Sequence, residues 1–193
     1  VSKELSLPLA VSARPVPWLR ATGIVFLGSA FTALCAHVSV PLFFTPVPLS
    51  LAPFAILLFG LLLTPRLAMA TFAAYLAEGA LGLPVFAPSA LSGLAHLFGP
   101  TGGYLLAYPL AALLISVLWR RAQQGFATAA LITAAGSFVI LASGALWLAA
   151  LTHASLQSVF TLAVLPFLPG DALKITAAAA LGASWVRFRR RNT

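Results

Sequence analysis

The chain has 193 residues, 61% of them hydrophobic and only 7% charged, with a mean hydropathy of +1.04. Soluble domains average about 45–50% apolar and about 25% charged, so a water-soluble core and a separate soluble domain are both excluded. Eleven basic residues face three acidic ones, and a single cysteine, Cys35, excludes an internal disulfide and reads as a small buried hydrophobe.

Positions 1–17 read as a tail. Lys3 and Glu4 are followed by Pro8, Pro15 and Pro17, with no uninterrupted apolar run before Trp18. No cleavable signal is expected, and the first hydrophobic segment is retained. Six apolar runs then read as membrane spans, over 18–40, 51–63, 66–81, 101–119, 126–151 and a last one ending at 185. In the first, Gly28, Ser29, Thr32 and Ala33 have small-xxx-small spacing, which lets another helix approach closely. The second and third runs are short, joined by the turn Leu63-Thr64-Pro65-Arg66, and are expected to tilt little or cross incompletely. Glycines at 79 and 82 fit a helix end, and Pro84 stops continuation. Glu78, just before them, reads as an interfacial group more readily than as a cavity group.

Gly99-Pro100-Thr101-Gly102-Gly103-Tyr104 opens the fourth span. Its glycines either present backbone N–H groups to an anion at the helix start or allow close packing. No Gly-Lys-Ser/Thr follows, so it is not a phosphate loop and offers no means of hydrolysing ATP. The last region is interrupted by Pro166 and Pro169; 156–168 reads as a loop or partial helix, with the sixth span starting near Gly170.

Basic residues orient these spans. With the amino terminus inside, Lys3, Arg14, Arg20, Arg66, Arg120, Arg121, Arg187, Arg189, Arg190 and Arg191 all fall in inner segments, and the outer connections hold none. The positive-inside rule places both termini in the cytoplasm. An even spread over every second loop is topology rather than a nucleic-acid surface. The expected architecture is all-α: one membrane domain over 1–193, with a cytoplasmic tail 1–17, a six-helix bundle 18–186 and a basic cytoplasmic tail 187–193. The outer connections are long, irregular and rich in Pro, Gly and aromatics, as functional loops are.

Asp171 and Lys174 lie on that outer side, three residues apart at the start of the sixth span. An ionisable group inside a membrane segment costs at least ~2.5–3.5 kcal/mol at mid-depth. One helical turn brings the two together, either to neutralise each other or to converge on a ligand. Asp171 can accept N–H bonds and Lys174 can donate to a carbonyl or carboxylate, the pattern a cyclic urea presents. His37, His96 and His153 share no ligand spacing, so no metal site is expected, and His96 and His153 read as outer-loop polar contacts. No Ser–His–Asp set, carboxylate pair or Cys-x-x-Cys supports an enzyme.

An ordered set of motifs carries a family resemblance. It comprises Pro46-Val47-Pro48-Leu49-Ser50-Leu51, then Leu57-Leu58-Phe59-Gly60-Leu61-Leu62-Leu63, then Tyr75 with Gly79-Ala80-Leu81-Gly82-Leu83-Pro84-Val85-Phe86-Ala87. Gly99-Pro100-Thr101-Gly102-Gly103-Tyr104-Leu105 and Pro166-Phe167-Leu168-Pro169-Gly170-Asp171 with Lys174 complete it. Over about residues 20 to 185 the chain resembles the biotin-specific substrate-capture subunits, or S components, of energy-coupling-factor (ECF) vitamin importers, the BioY family.

That resemblance implies a six-helix protein of the bacterial plasma (inner) membrane that captures biotin from outside without a cofactor. Its partners would be a transmembrane coupling protein and ABC-type ATPases, not nucleic acid. Asp171 and Lys174 fall on the family's binding pair. Thr101, Gly102, Gly103 and Tyr104 are expected to line the pocket, with Phe86 and Phe44 or Phe43 on the apolar ligand body. Gly28, Ser29, Thr32 and Ala33 are expected to dock the coupling protein, with packing inside the bundle the equal alternative. The chain departs from the family in Ser50-Leu51-Ala52, where the glutamine of Thr-Leu-Gln is lost and Ser50 keeps a hydroxyl. It departs again over 88–93, where Ser89 or Ser92 would substitute for a side-chain contact. Lys174 either takes the ureido oxygen, the favoured arrangement, leaving the carboxylate to the start of the fourth span, or takes the carboxylate itself. Other readings are an S component for thiamine or riboflavin, or a small membrane-embedded enzyme or assembly factor.

Overall fold

The computed structural model describes residues 18–192. The tail 1–17, with Lys3, Arg14 and the expected retention of the amino-terminal segment, lies outside the described residues. Helix α1, Trp18–His37, runs into two short antiparallel strands, β1 (Ser39–Val40) and β2 (Leu49–Ser50), which pair Ser39 with Ser50 and Val40 with Leu49. The expected span to residue 40 therefore ends three residues early. Helices α2 (Ala52–Leu62) and α3 (Pro65–Ala80) follow. Thr64 caps α3 by accepting from the Leu67 amide at 3.4 Å, and Pro65 occupies the first turn, where its missing N–H costs nothing. Gly82 takes φ +93, the left-handed conformation that lets the chain turn away after α3.

A five-residue helix, α4 (Gly93–Leu97), interrupts the next connection. Helices α5 (Gly102–Arg121) and α6 (Phe126–Thr152) then cross the molecule. The short helix α7, Leu156–Ala163, is capped by Ser155, and a 3-10 turn at Leu165–Phe167 leads into α8, Leu168–Arg191. The stretch read as loop or partial helix is thus a separate helix, and α8 starts two residues before Gly170. The basic segment expected as a tail beyond residue 186 instead continues α8 through Arg191.

Among the described residues, four helical stretches are long and apolar enough to cross a membrane: Trp18–His37, Gly102–Arg121, Phe126–Thr152 and Gln157–Arg191. The last joins α7 and α8 through the 3-10 turn. At 1.5 Å per residue α2 spans roughly 16 Å, about half of a hydrocarbon core. Helix α5 is the most enclosed of the four; it packs on α2, α3 and α6, while α8 packs on α2 and α6, and α1 on α2 and α3.

Every described arginine sits at one end of this bundle: Arg20 opens α1, Arg66 opens α3, Arg120 and Arg121 close α5, and Arg187, Arg189, Arg190 and Arg191 close α8. A plug of Leu57, Leu61, Ile115, Trp119 and Ile132 fills the interior toward that end. The larger apolar cluster, which includes Tyr75, Phe86, Tyr104, Tyr108 and Phe167, occupies the other end. This second end encloses the site.

Candidate functional site

A partly enclosed cavity lies within the aromatic cluster. It is walled by the arginine-free ends of α1, α2, α5 and α8, by the middle of α6, and by the connections after α1 and α3. Most of its lining is apolar, including Val47, Pro48, Leu105, Ile140 and Phe167, with few polar groups among them.

Asp171 and Lys174 are those groups on α8. They are 6% and 8% exposed, and Lys174 Nζ lies 3.1 Å from Asp171 Oδ1. The other carboxylate oxygen, Oδ2, accepts from Ser137 Oγ on α6 at 2.6 Å. Asp171 also sits in the first turn of its helix, where the positive end of the peptide dipoles favours an anion. Both buried charges are therefore compensated before any ligand arrives. A buried pair of this kind contributes little net stability but is costly to break, and its placement on a cavity wall leaves the ammonium's other protons and the carboxylate's remaining lone pairs for a ligand.

Three more of the expected residues line the same cavity: Tyr104, Thr101 and Ser50. Tyr104 donates to the Ala163 carbonyl at 2.9 Å and ties α5 to the end of α7. Ser50 Oγ accepts from the Ala52 amide at 3.1 Å and donates to Ala36 O at 3.4 Å, closing the start of α2 against α1.

The remaining expectations fall elsewhere. Gly102 and Gly103 are absent from the cavity wall; a side chain at 102 would collide with the Leu97 backbone of α4, and one at 103 with Trp147 and the Ser143 carbonyl of α6. The amides of Gly102, Tyr104 and Leu105 donate to Gly99 O or Thr101 O. Of the two readings of these glycines, close packing of α5 on α4 and α6 describes them, and an anion at this helix start finds most donors already committed. Phe86 is buried behind the wall, edge-on to Tyr75 with centroids 5.3 Å apart, and its neighbour Ala87 reaches the lining instead. Phe43 is fully exposed and Phe44 nearly half exposed at the tip of the connection after α1; Val47 and Pro48 face the cavity in their place. Ser89 bonds to Leu91 and His96 and is not on the wall.

Gly28, Ser29 and Thr32 are buried within the bundle, with Gly28 against Thr71 of α3, and Ala33 packs partly buried on the main apolar cluster. Internal packing describes this face. Ser29 donates to Glu78 on α3, so Glu78 is a tether between α1 and α3 and not the free interfacial group expected. Cys35 is buried, as read.

Three residues of the site carry weak sequence signals. Ser137 is one hydroxyl in an apolar helix, and only the fold sets it against Asp171. Tyr108 follows Tyr104 by one turn, so periodicity could have found it on the same wall. His96, an outer-loop polar contact by sequence, bonds to Ser89 and Leu91 and also lines the cavity at 5% exposure. Burial lowers its pKa below the usual histidine value, partly opposed by a hydrogen bond to the Leu91 carbonyl.

The sequence profile of the BioY family matches residues 7–191. A probable biotin transporter BioY of Pyrococcus horikoshii is 37% identical over 82% of this chain and 91% of its own length. Biotin transporter BioY2 of Lactococcus lactis subsp. cremoris is 34% identical over 85% of this chain and 88% of its own. The crystal structure of the S-component for biotin from an ECF-type ABC transporter superposes with a TM-score of 0.81 at 25% identity, covering 88% of this chain and 92% of that one. With apolar membrane-length helices, a buried ion pair on a cavity and a family match over nearly its whole length, the chain is an integral membrane protein that belongs to the BioY family.

Proposed function

We propose that this protein captures biotin from the outer face of the plasma (inner) membrane and imports it as the substrate-specific subunit of an ECF-type transporter. The observation that carries the reading is the buried Asp171–Lys174 pair on the wall of a mostly apolar cavity, at the end of the bundle that holds no described arginine. Asp171 accepts a ureido N–H of biotin and Lys174 donates to its carbonyl oxygen, while the apolar wall covers the ring system. Thr101, which lines the cavity and whose side chain makes no capping bond, takes the polar tail.

The positions of the arginines support six crossings, by α1, α2, α3, α5, α6 and α8, with both termini in the cytoplasm. Short α2 then crosses through shielding by α5 and α8. A coupling protein and ABC-type ATPases supply the energy, in keeping with a chain that has no phosphate-loop sequence of its own. The names of the relatives favour biotin over thiamine or riboflavin.

Uptake of labelled biotin into cells that lack an importer of their own tests this. Expression with an ECF coupling module is expected to give saturable uptake that unlabelled biotin competes out. No uptake above the empty vector, with the protein present in the membrane, would overturn it.

A further inference from the structure

His96 lines the cavity on a different wall from the ion pair. It stands on α4, which packs on α3 and α5, whereas Asp171 and Lys174 stand on α8, which packs on α2 and α6. All three residues line the same cavity. The ring is held in place by Phe86, with centroids 4.9 Å apart, and Phe86 is held in turn by Tyr75.

The hydrogen bonds of His96 fix its tautomer. Nδ1 lies 3.2 Å from Leu91 O and 3.1 Å from Ser89 Oγ. A carbonyl oxygen only accepts. The Ser89 hydroxyl already donates its proton to Leu91 O, at 3.1 Å, so its oxygen also accepts from the ring. Both neighbours of Nδ1 are therefore acceptors, and Nδ1 carries the proton. In a neutral imidazole the lone pair then sits on Nε2, which has no hydrogen-bond partner among the described residues.

A cyclic urea presents a donor, an acceptor and a donor along one edge: N–H, C=O, N–H. The complementary site is an acceptor, a donor and an acceptor. We propose that His96 Nε2 accepts the second ureido N–H of the ligand, completing with Asp171 and Lys174 a three-point urea site. Asp171 takes one N–H, Lys174 the carbonyl oxygen, and His96 the other N–H. Ser89 and the Leu91 carbonyl act as positioning groups that hold the acceptor nitrogen toward the ligand. The inference rests on the biotin reading above and extends it to a residue outside the ion pair.

The rival role for His96 is structural, with the ring only pinning the connection after α3. Two substitutions separate the roles, because they preserve opposite nitrogens. His96→Gln carries an amide oxygen to the place of Nε2, while His96→Asn keeps a donor at the place of Nδ1. The test is equilibrium binding of labelled biotin to purified wild-type protein, H96F, H96Q and H96N, with thermal unfolding of each measured alongside. Two cyclic carbamates, each replacing one ureido N–H of biotin by oxygen, serve as competing ligands.

Wild type is expected to bind biotin, H96F to bind it about tenfold more weakly, as the loss of one hydrogen bond implies, H96Q to recover most of that loss, and H96N to recover none. For one of the two carbamates, H96F and wild type are expected to bind equally. Rescue by H96N and not by H96Q, or equal biotin affinity in H96F and wild type, would overturn the proposal while leaving the biotin reading intact. A wild-type protein that does not bind biotin would overturn both.

Discussion

Ser137 on α6 donates a 2.6 Å hydrogen bond to Oδ2 of Asp171 on α8, the carboxylate oxygen that Lys174 does not engage. The ion pair alone would leave one oxygen of a buried carboxylate unsatisfied and free to rotate. With Ser137 in place, both oxygens are fixed and the plane of the carboxylate is set before a ligand enters. Ser137→Ala is therefore expected to weaken biotin binding by about tenfold and to lower stability by about 1.5–3 kcal/mol, the range for a hydrogen bond to a charged group. Titration calorimetry and thermal unfolding in detergent measure the two effects, and Ser137→Thr should recover part of each.

The Asp171–Lys174 pair has a structural and a ligand-binding role that substitutions separate. Lys174→Met leaves a buried carboxylate without its cation and is expected to cost about 3–5 kcal/mol. Replacing both, as Asp171→Leu with Lys174→Met, removes both charges and should restore stability close to wild type. Biotin binding should be lost in the single and the double variant alike. A double variant that is stable and still binds would make the pair purely structural.

Tyr104 approaches α6 so closely that Gly144 faces its ring directly, and a side chain at 144 would overlap it. The rigid aromatic has nowhere to retreat, because its hydroxyl is bound to Ala163 O and its ring packs near Phe167. Gly144→Val is expected to destabilise by about 1–3 kcal/mol through overpacking and to weaken biotin binding, since Tyr104 lines the cavity. Thermal unfolding and binding isotherms check both.

Acidification should act through His96. Its pKa in the folded protein lies below the usual histidine value of about 6.5 because burial disfavours the charged ring. Above pH 6.5 the ring is neutral folded or unfolded, and its contribution is fully present. As pH falls below 6.5 the unfolded chain takes up the proton first, so stability declines until the folded-state pKa is passed. Wild type should therefore lose more stability than H96F between pH 7 and pH 5. Biotin binding should fall at lower pH, as the folded-state pKa is passed, because a protonated Nε2 no longer accepts.

Much of this architecture was legible in the sequence because the bilayer restricts what a chain can do. Apolar run length gave helices α1, α2, α3, α5 and α6 to within a few residues, and the arginines separated the two ends of the bundle before any coordinates. Asp171 and Lys174 stood out because charge is rare here, and Tyr104, Thr101 and Ser50 followed from motifs shared with a family. What was not legible depends on which way a side chain faces after the connections fold. The glycines at 102 and 103 have the composition of an anion site, but Trp147 fills the space beside them. Phe44 is as apolar as Val47, yet the pairing of β1 with β2 leaves one at the exposed tip and directs the other inward. Ser137 and His96 become site residues only through tertiary contact, with Asp171 in one case and with Ser89 and Leu91 in the other.

The central claim is that Asp171 and Lys174 hold the ligand, and equilibrium binding of labelled biotin to purified wild-type protein and to Asp171→Asn tests it most directly. The substitution keeps the shape of the side chain and removes the charge that pairs with Lys174 and receives the ureido N–H. Saturable binding of one biotin per chain to wild type, undisturbed by thiamine or riboflavin, with affinity reduced at least a hundredfold in the variant (about 2.8 kcal/mol), is the predicted result. No saturable binding to wild type, or equal affinity in the two proteins, would contradict it.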